Sequence, residues 1–126
     1  MSREIKFRVY DKTKGYYVAI RDNDCFDIRQ TARVVVELTS LGHKFIIEQF
    51  TGLLDRNGKE IYEGDIVEYD WYIVGDKPAY RVNSVVNFDY KGAMAGNNRL
   101  WKCTNVEVIG NIHENPELLE EGEDNG

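Results

Sequence analysis

Acidic side chains in residues 60–70 are the first candidates for chemistry. They are Glu60, Glu63, Asp65, Glu68 and Asp70. Paired carboxylates can act as acid and base in a glycosidase, or can hold the divalent cation of a nuclease. Glu68 and Asp70 alternate with apolar residues, however, which is typical of a strand with one solvated face. A solvated face explains these two acids without catalysis, and a hydrolase on this segment is kept only as a third hypothesis.

Histidine and cysteine offer little further chemistry. His43 and His113 are seventy residues apart, and Cys25 and Cys103 have neither the paired spacing of a zinc site nor that of a disulfide framework. Nucleophilic catalysis would need a base beside one of the thiols, and the spacing offers none. A glycine-rich phosphate loop between a strand and a helix is also absent. The sequence therefore predicts no enzyme, no catalytic residue, no metal site and no cofactor.

Aromatic and basic residues concentrate in residues 71–102. Small β domains bind through exposed aromatic side chains, which can stack on a peptide or on a single nucleic-acid strand. Arg81 and Lys91 add positive charge to the same region. The predicted binding surface consists of Trp71, Tyr80, Tyr90, Arg99, Trp101 and Lys102.

The net charge of −6 is unevenly distributed. Residues 1–33 carry +3, residues 34–70 carry −5, residues 71–116 carry +1 and residues 117–126 carry −5. Within the last segment, residues 120–126 have no apolar side chain and are predicted to be a disordered acidic tail. Without that tail the chain is nearly neutral, so the total charge does not exclude contact with a polyanion.

The hydrophobic periodicity predicts a mainly β protein. Asn57-Gly58 is a strong hairpin signal, because both residues tolerate a positive φ. Residues 92–98 are predicted to form a loop, and Asn115-Pro116-Glu117 is predicted to start a short helical turn with Asn115 as its N-cap. The predicted strands cover residues 5–9, 16–20, 33–38, 45–50, 66–71, 82–88, 100–103 and 106–109.

Two long stretches resemble the YopX family, a group of small proteins of bacteriophages and prophages. They are residues 49–67 and 106–119, and the start at residues 3–8 is also similar. The resemblance implies a small SH3-like β-barrel in a bacterial cytoplasm, and it brings no established activity. Within these stretches, we interpret six residues as a structural motif of turns and anchors: Gly52, Gly58, Tyr62, Gly64, Asp65 and Gly110.

Together these patterns predict three regions. They are an N-terminal β region at 1–50, an SH3-like small barrel at 51–116, and a closing helical turn with an acidic tail at 117–126. No apolar run is long enough to cross a membrane and no signal peptide is visible, so a cytoplasmic location is predicted.

The first functional hypothesis is a non-catalytic phage or prophage accessory protein that acts by contact with an unknown phage or host protein, or by self-assembly as a homo-oligomer. The second is a nucleic-acid-binding accessory factor that uses the aromatic and basic surface of residues 71–102.

Overall fold

The computed structural model describes residues 4–20, 24–72 and 78–119, with only the backbone described at 71–72 and 78–80. The predicted acidic tail at 120–126 therefore lies outside the described residues. The chain divides into two compact units, Met1–Gly52 and Leu53–Gly126. We refer to them as the first unit and the second unit.

The first unit packs one helix against antiparallel strands. Its elements are β1 (Phe7–Asp11), β2 (Tyr16–Tyr17), α1 (Ile28–Ser40) and β3 (Phe45–Leu54), and β3 continues past Gly52 into the second unit. The strands follow the order β2-β1-β3. The core consists of Val9, Phe26, Val34 and Leu38.

The strand predicted for residues 33–38 is wrong, because these residues belong to α1. The run of β-branched residues around Val34 favours a strand by local propensity. Burial decides otherwise, since Thr31, Val34 and Leu38 recur at helical spacing and form the buried face of α1. The predicted N-terminal β region is therefore a mixed helix and strand unit, and its second strand is shorter than predicted.

A capping box fixes the start of α1. The Asp27 carboxylate accepts a hydrogen bond from the Gln30 backbone N–H at 2.8 Å, and the Gln30 side-chain oxygen accepts one from the Asp27 N–H at 3.0 Å. Each bond satisfies a backbone donor that has no partner within the helix.

Replacing Asp27 by Ala should lower the free energy of unfolding by about 1 kcal/mol, the usual cost of losing an N-cap acceptor. Urea denaturation followed by circular dichroism measures this loss. Asp24→Ala removes the same charge from an exposed position nearby and serves as the control. An equal loss in both variants would contradict the capping role.

The second unit contains the remaining strands. They are β4 (Glu60–Tyr62), β5 (Asp65–Tyr72), β6 (Pro78–Asp89), β7 (Gly92–Ala95), β8 (Asn98–Arg99) and β9 (Thr104–Asn111), with one 3₁₀ turn (Leu100–Lys102). Five of them form an antiparallel sheet in the order β8-β7-β6-β5-β9. Its core contains Ile61, Val67, Tyr69, Val86, Ala95, Leu100 and Val106.

Two predicted elements of the second unit are wrong. The loop predicted for residues 92–98 contains β7, because Met94 and Ala95 pair with β6 on one side and with β8 on the other. The strand predicted for residues 100–103 is instead the 3₁₀ turn, in which Leu100 is buried and Trp101 is exposed.

The closing helical turn forms at residues 117–119, where the Asn115 carbonyl oxygen accepts a hydrogen bond from Leu118 N–H. The Asn115 side chain does not cap it as predicted; it accepts a hydrogen bond from Asn111 N–H instead.

The chain is mainly β, with a curled half-barrel sheet. None of the helices in the described residues has the length and apolar character needed to cross a membrane.

Candidate binding surface around Trp101

The hairpin loop at residues 55–59 is built around the Asp55 carboxylate. One of its oxygens accepts hydrogen bonds from the backbone N–H groups of Asn57 and Lys59, at 2.8 and 2.9 Å. The other accepts one from Val108 N–H at 2.9 Å. Burial alone would raise the pKa of this carboxyl, but the three backbone donors and the charge of Lys59 leave it below its usual value.

This loop also covers the free edge of β9. The backbone N–H of Arg56 donates to the Val106 carbonyl oxygen at 2.8 Å, next to the bond between Asp55 and Val108. The two contacts occupy backbone groups on the side of β9 that β5 does not use. An uncovered edge invites pairing with another chain, so the loop protects the sheet at this point.

A second tight turn connects β4 to β5. Gly64 has a φ of 89°, its N–H donates to the Val86 carbonyl at 2.9 Å, and its carbonyl accepts from Ile112 N–H at 3.0 Å. The buried carboxylate of Asp65 accepts a hydrogen bond from Tyr62 N–H at 2.8 Å. Through these contacts, Tyr62, Gly64 and Asp65 stabilise the turn.

Two different physical reasons explain the other three glycines of the predicted motif. Gly52 and Gly58 have φ values of 87° and 84°, the left-handed region that favours glycine. Gly110 has no positive φ, but a Cβ atom at this position would lie 2.5 Å from the Asn115 side-chain oxygen. Close approach to Asn115 therefore explains this glycine.

A surface depression of about 290 Å³ lies beside the 3₁₀ turn. Five of its lining residues are aliphatic, and one of them, Leu54, is 58% exposed. Trp101 also lines the depression and is 67% exposed. The lining residues are Leu53, Leu54, Asp55, Arg56, Ile61, Leu100, Trp101, Cys103, Asn105 and Val106.

A smaller depression of about 180 Å³ shares Cys103 with the first one. Its lining includes Tyr69, whose hydroxyl accepts a hydrogen bond from the Asn98 side-chain N–H at 3.1 Å. Lys102 also lines it, and its ammonium lies 5.2 Å from the centre of the Trp101 ring. The two depressions and the Trp101 ring form the surface that we call the Trp101 surface.

The arginines of the predicted basic region are already neutralised. Arg99 forms two hydrogen bonds with the Asp89 carboxylate, at 2.9 and 3.0 Å. Arg81 contacts Glu68 at 2.8 Å and Asp70 at 2.6 Å. Glu68 and Asp70 were predicted to form a solvated face; both are partly exposed, and both also contact this guanidinium.

Asp70 has a further partner in the Asn105 side chain, which donates to it at 2.7 Å. This hydrogen bond and the contact with Arg81 keep the pKa of Asp70 below its ordinary value, against the opposing effect of burial. Arg81 also donates to the Asn105 carbonyl oxygen at 2.8 Å, which anchors a residue with a φ of 55° at the start of β9. These polar groups hold the strand ends together.

The Cys103 thiol is half-buried and donates weakly to the Arg99 carbonyl oxygen at 3.4 Å. Burial raises the pKa of this thiol, so at neutral pH it stays protonated and is a weak nucleophile. In the described part of the chain, no group of three or more His, Cys, Asp or Glu side chains is arranged to hold a metal ion.

The structure brings together only part of the predicted binding surface. Arg99, Trp101 and Lys102 lie next to each other around the 3₁₀ turn. Tyr90 is highly exposed in the turn after β6, and Arg99 donates a hydrogen bond to Asp89, the residue that precedes Tyr90. The side chains of Trp71 and Tyr80 lie outside the described residues.

The aliphatic lining was missed by reasoning from the sequence. Its signal was the pair Leu53-Leu54 directly before the hairpin loop, where a solvent-exposed turn would ordinarily begin. The exposure of Leu54 becomes informative when Val106 and Leu100, from later in the chain, are seen to line the same depression.

Comparison with known proteins connects this architecture to a family. The model of the YopX protein family matches residues 6–120. The chain is also similar to the crystal structure of protein EF1440 from Enterococcus faecalis, at 25% sequence identity and a TM-score of 0.59. That similarity covers 94% of this chain and 99% of the other. No curated protein matches. Because the family model covers nearly the whole length, the chain belongs to the YopX family.

Proposed function

We propose that this chain is a non-catalytic accessory protein of phage or prophage type that acts by contact with another protein, of phage or host origin. The observation that supports this proposal is the exposed Trp101 beside an aliphatic depression. Tryptophan is enriched among the residues that dominate the energy of protein interfaces. We also propose, from the family resemblance, that the curled sheet is part of an SH3-like barrel.

The charge around Trp101 favours a protein over a nucleic acid as its partner. Binding to phosphates depends on cations that are free to replace counterions. Arg81 and Arg99 are engaged by carboxylates, so of these two arginines and Lys102 only the lysine side chain has no carboxylate partner in the described structure. The lining of the depression beside Trp101 instead includes five aliphatic side chains, and apolar side chains are enriched at the centre of protein interfaces.

Self-assembly is a special case of the same proposal, in which the partner is a second copy of the chain. The aliphatic border at Leu54 and the Trp101 ring would then become buried in a homo-oligomer. Sedimentation velocity distinguishes this case from a foreign partner, because only self-assembly raises the mass of the purified protein with concentration.

Replacing Trp101 by Ala should reduce recovery of the partner by about tenfold or more, as is typical of a central interface residue. The measurement is affinity purification of the tagged chain from its bacterial cells with quantitative mass spectrometry. Because Trp101 is exposed, its loss should change the free energy of unfolding by no more than about 0.5 kcal/mol.

Ile28→Ala is the matched control, since it removes an exposed apolar side chain from the first unit. The proposal requires at least one protein, or an oligomer, that is retained by the wild type and by Ile28→Ala and is lost with Trp101→Ala. If no recovered protein and no sedimentation property depends on Trp101, the proposal fails.

A further inference from the structure

Two lysines in the turn between β1 and β2 lie beside a third lysine that directly precedes β3 in the first unit. The backbone N–H of Lys12 donates to the Lys44 carbonyl oxygen at 2.8 Å, and Lys44 N–H donates to the Thr13 hydroxyl oxygen at 2.9 Å. Lys14 lies in the same turn between β1 and β2. All three lysines are exposed. We call Lys12, Lys14 and Lys44 the lysine turn.

The charges of the lysine turn are not neutralised by the described residues, none of which places a carboxylate within ion-pair distance of these ammonium groups. The nearest acid in the sequence, Asp11, is 2% exposed. Its carboxylate accepts hydrogen bonds from the Thr13 and Lys14 N–H groups and contacts His43 Nδ1 at 2.9 Å. This acid therefore shapes the turn while the lysine side chains remain available.

The composition of the turn indicates the class of partner. Protein interfaces are depleted in lysine and depend on apolar and aromatic area, whereas lysine is a common phosphate ligand. The turn itself, residues 12–15, has no apolar side chain. Tyr16, which follows directly, is 57% exposed and supplies a ring on which a base can stack.

We propose that the lysine turn binds the phosphate backbone of a nucleic acid. The site is separate from the Trp101 surface in the chain, and its proposal does not rest on the proposed function. It also differs from the nucleic-acid surface predicted within residues 71–102, where the arginines are paired with acids.

The test is the salt dependence of binding to a labelled oligonucleotide, single-stranded and as its duplex, measured by fluorescence anisotropy. With three phosphate contacts, raising the salt fourfold should weaken single-strand binding by about twentyfold. The variant Lys12→Gln/Lys44→Gln retains one of the three contacts, so its single-strand binding should weaken by only about threefold over the same range of salt. The duplex should show the steeper dependence, because each contact releases more counterion there.

Lys59→Gln/Lys91→Gln is the matched control, because it removes the same charge from exposed positions in the second unit. It should retain the salt dependence of the wild type. The proposal is overturned if the wild type does not bind the oligonucleotide at low salt. It is also overturned if the control loses as much affinity as the lysine-turn variant, or if the lysine-turn variant binds like the wild type.

Polyglutamate separates the two classes of polyanion. If it displaces the oligonucleotide with equal affinity per charge and with the same dependence on Lys12 and Lys44, the site serves an acidic protein and the proposal is wrong. A much weaker competition supports a nucleic acid. Trp101→Ala should bind the oligonucleotide like the wild type. Failure of the lysine-turn proposal is therefore distinguishable from failure of the proposed protein contact.

Discussion

Asp55→Ala should lower the free energy of unfolding by about 3 kcal/mol, because three backbone N–H groups lose an ionised acceptor, and hydrogen bonds to charged groups contribute about 1.5–3 kcal/mol each without being additive. The carboxylate is only 7% exposed, so water replaces it poorly. Its contacts join two separate parts of the chain, the hairpin loop at Asn57 and Lys59 and the edge of β9 at Val108. Urea denaturation at neutral pH measures the loss.

Two variants sharpen this measurement. Asp55→Asn keeps one acceptor oxygen but places an amide NH₂ group against the backbone N–H groups that the other oxygen accepted. It should therefore lose most of the free energy of unfolding that Asp55→Ala loses. Asp24→Ala removes a carboxylate from an exposed position and should change the free energy of unfolding by no more than about 0.5 kcal/mol. A loss below about 1 kcal/mol in Asp55→Ala would show that the loop does not depend on this acceptor.

The pH dependence of stability follows from the lowered pKa of Asp55. Because the folded protein holds this carboxyl ionised more strongly than the unfolded chain does, its contribution is complete above the ordinary aspartate pKa of about 3.9. It is lost as the pH falls through the lower folded value. Wild-type stability should therefore decrease more steeply in this acidic range than that of Asp55→Asn. Parallel curves would contradict the assignment.

The turns of the second unit could be predicted from the sequence because their signals are local. Asn57-Gly58 and the Gly64-Asp65 pair encode the positive φ and the carboxylate acceptors that the structure contains. The hydrogen bond from Val108 to Asp55 could not be predicted in this way. It joins residues far apart in the sequence, and their proximity depends on the tertiary arrangement of β9 and the loop.

The helix α1 shows where local propensity gives the wrong answer. Val34-Val35-Val36 favours a strand, but the Asp27–Gln30 capping box and the helical spacing of Thr31, Val34 and Leu38 were both present in the sequence. The buried side chains pack with Val9 and Phe26, and this tertiary contact outweighs the preference of the three valines. The capping box was the stronger evidence in this segment.

The candidate site was predicted in part for a related reason. Trp101 and Lys102 were named as binding candidates from residue type and position, but the exposure of Trp101 depends on the 3₁₀ turn and the neutralisation of Arg81 depends on strand register. Arg81 lies directly opposite Asp70 in the pairing of β5 with β6. The pairing partner of a residue in the middle of a long strand is not visible in the sequence, so Arg81 was counted as available positive charge. The binding surface that remains is consequently more apolar than the sequence predicted.

Gly110→Ala should lower the free energy of unfolding by about 2 kcal/mol, a typical cost of forcing an extra methyl group into a packed site. A Cβ atom there would lie 2.5, 2.7 and 2.8 Å from the Oδ1, Cγ and Cβ atoms of Asn115. The contact includes the Asn115 Cβ atom, so rotation of the side chain alone does not relieve it. The displaced Asn115 would also lose its hydrogen bond from Asn111 N–H.

A double-mutant cycle separates this steric cost from backbone strain. Gly110 has no positive φ, so alanine suits its backbone, and the three contacted atoms all belong to the Asn115 side chain. In the background Asn115→Gly those atoms are absent, and Gly110→Ala should then cost no more than about 0.5 kcal/mol. The coupling energy should therefore be about 1.5 kcal/mol. If alanine at position 110 costs the same in both backgrounds, the close approach of Asn115 is not the reason that this position requires glycine.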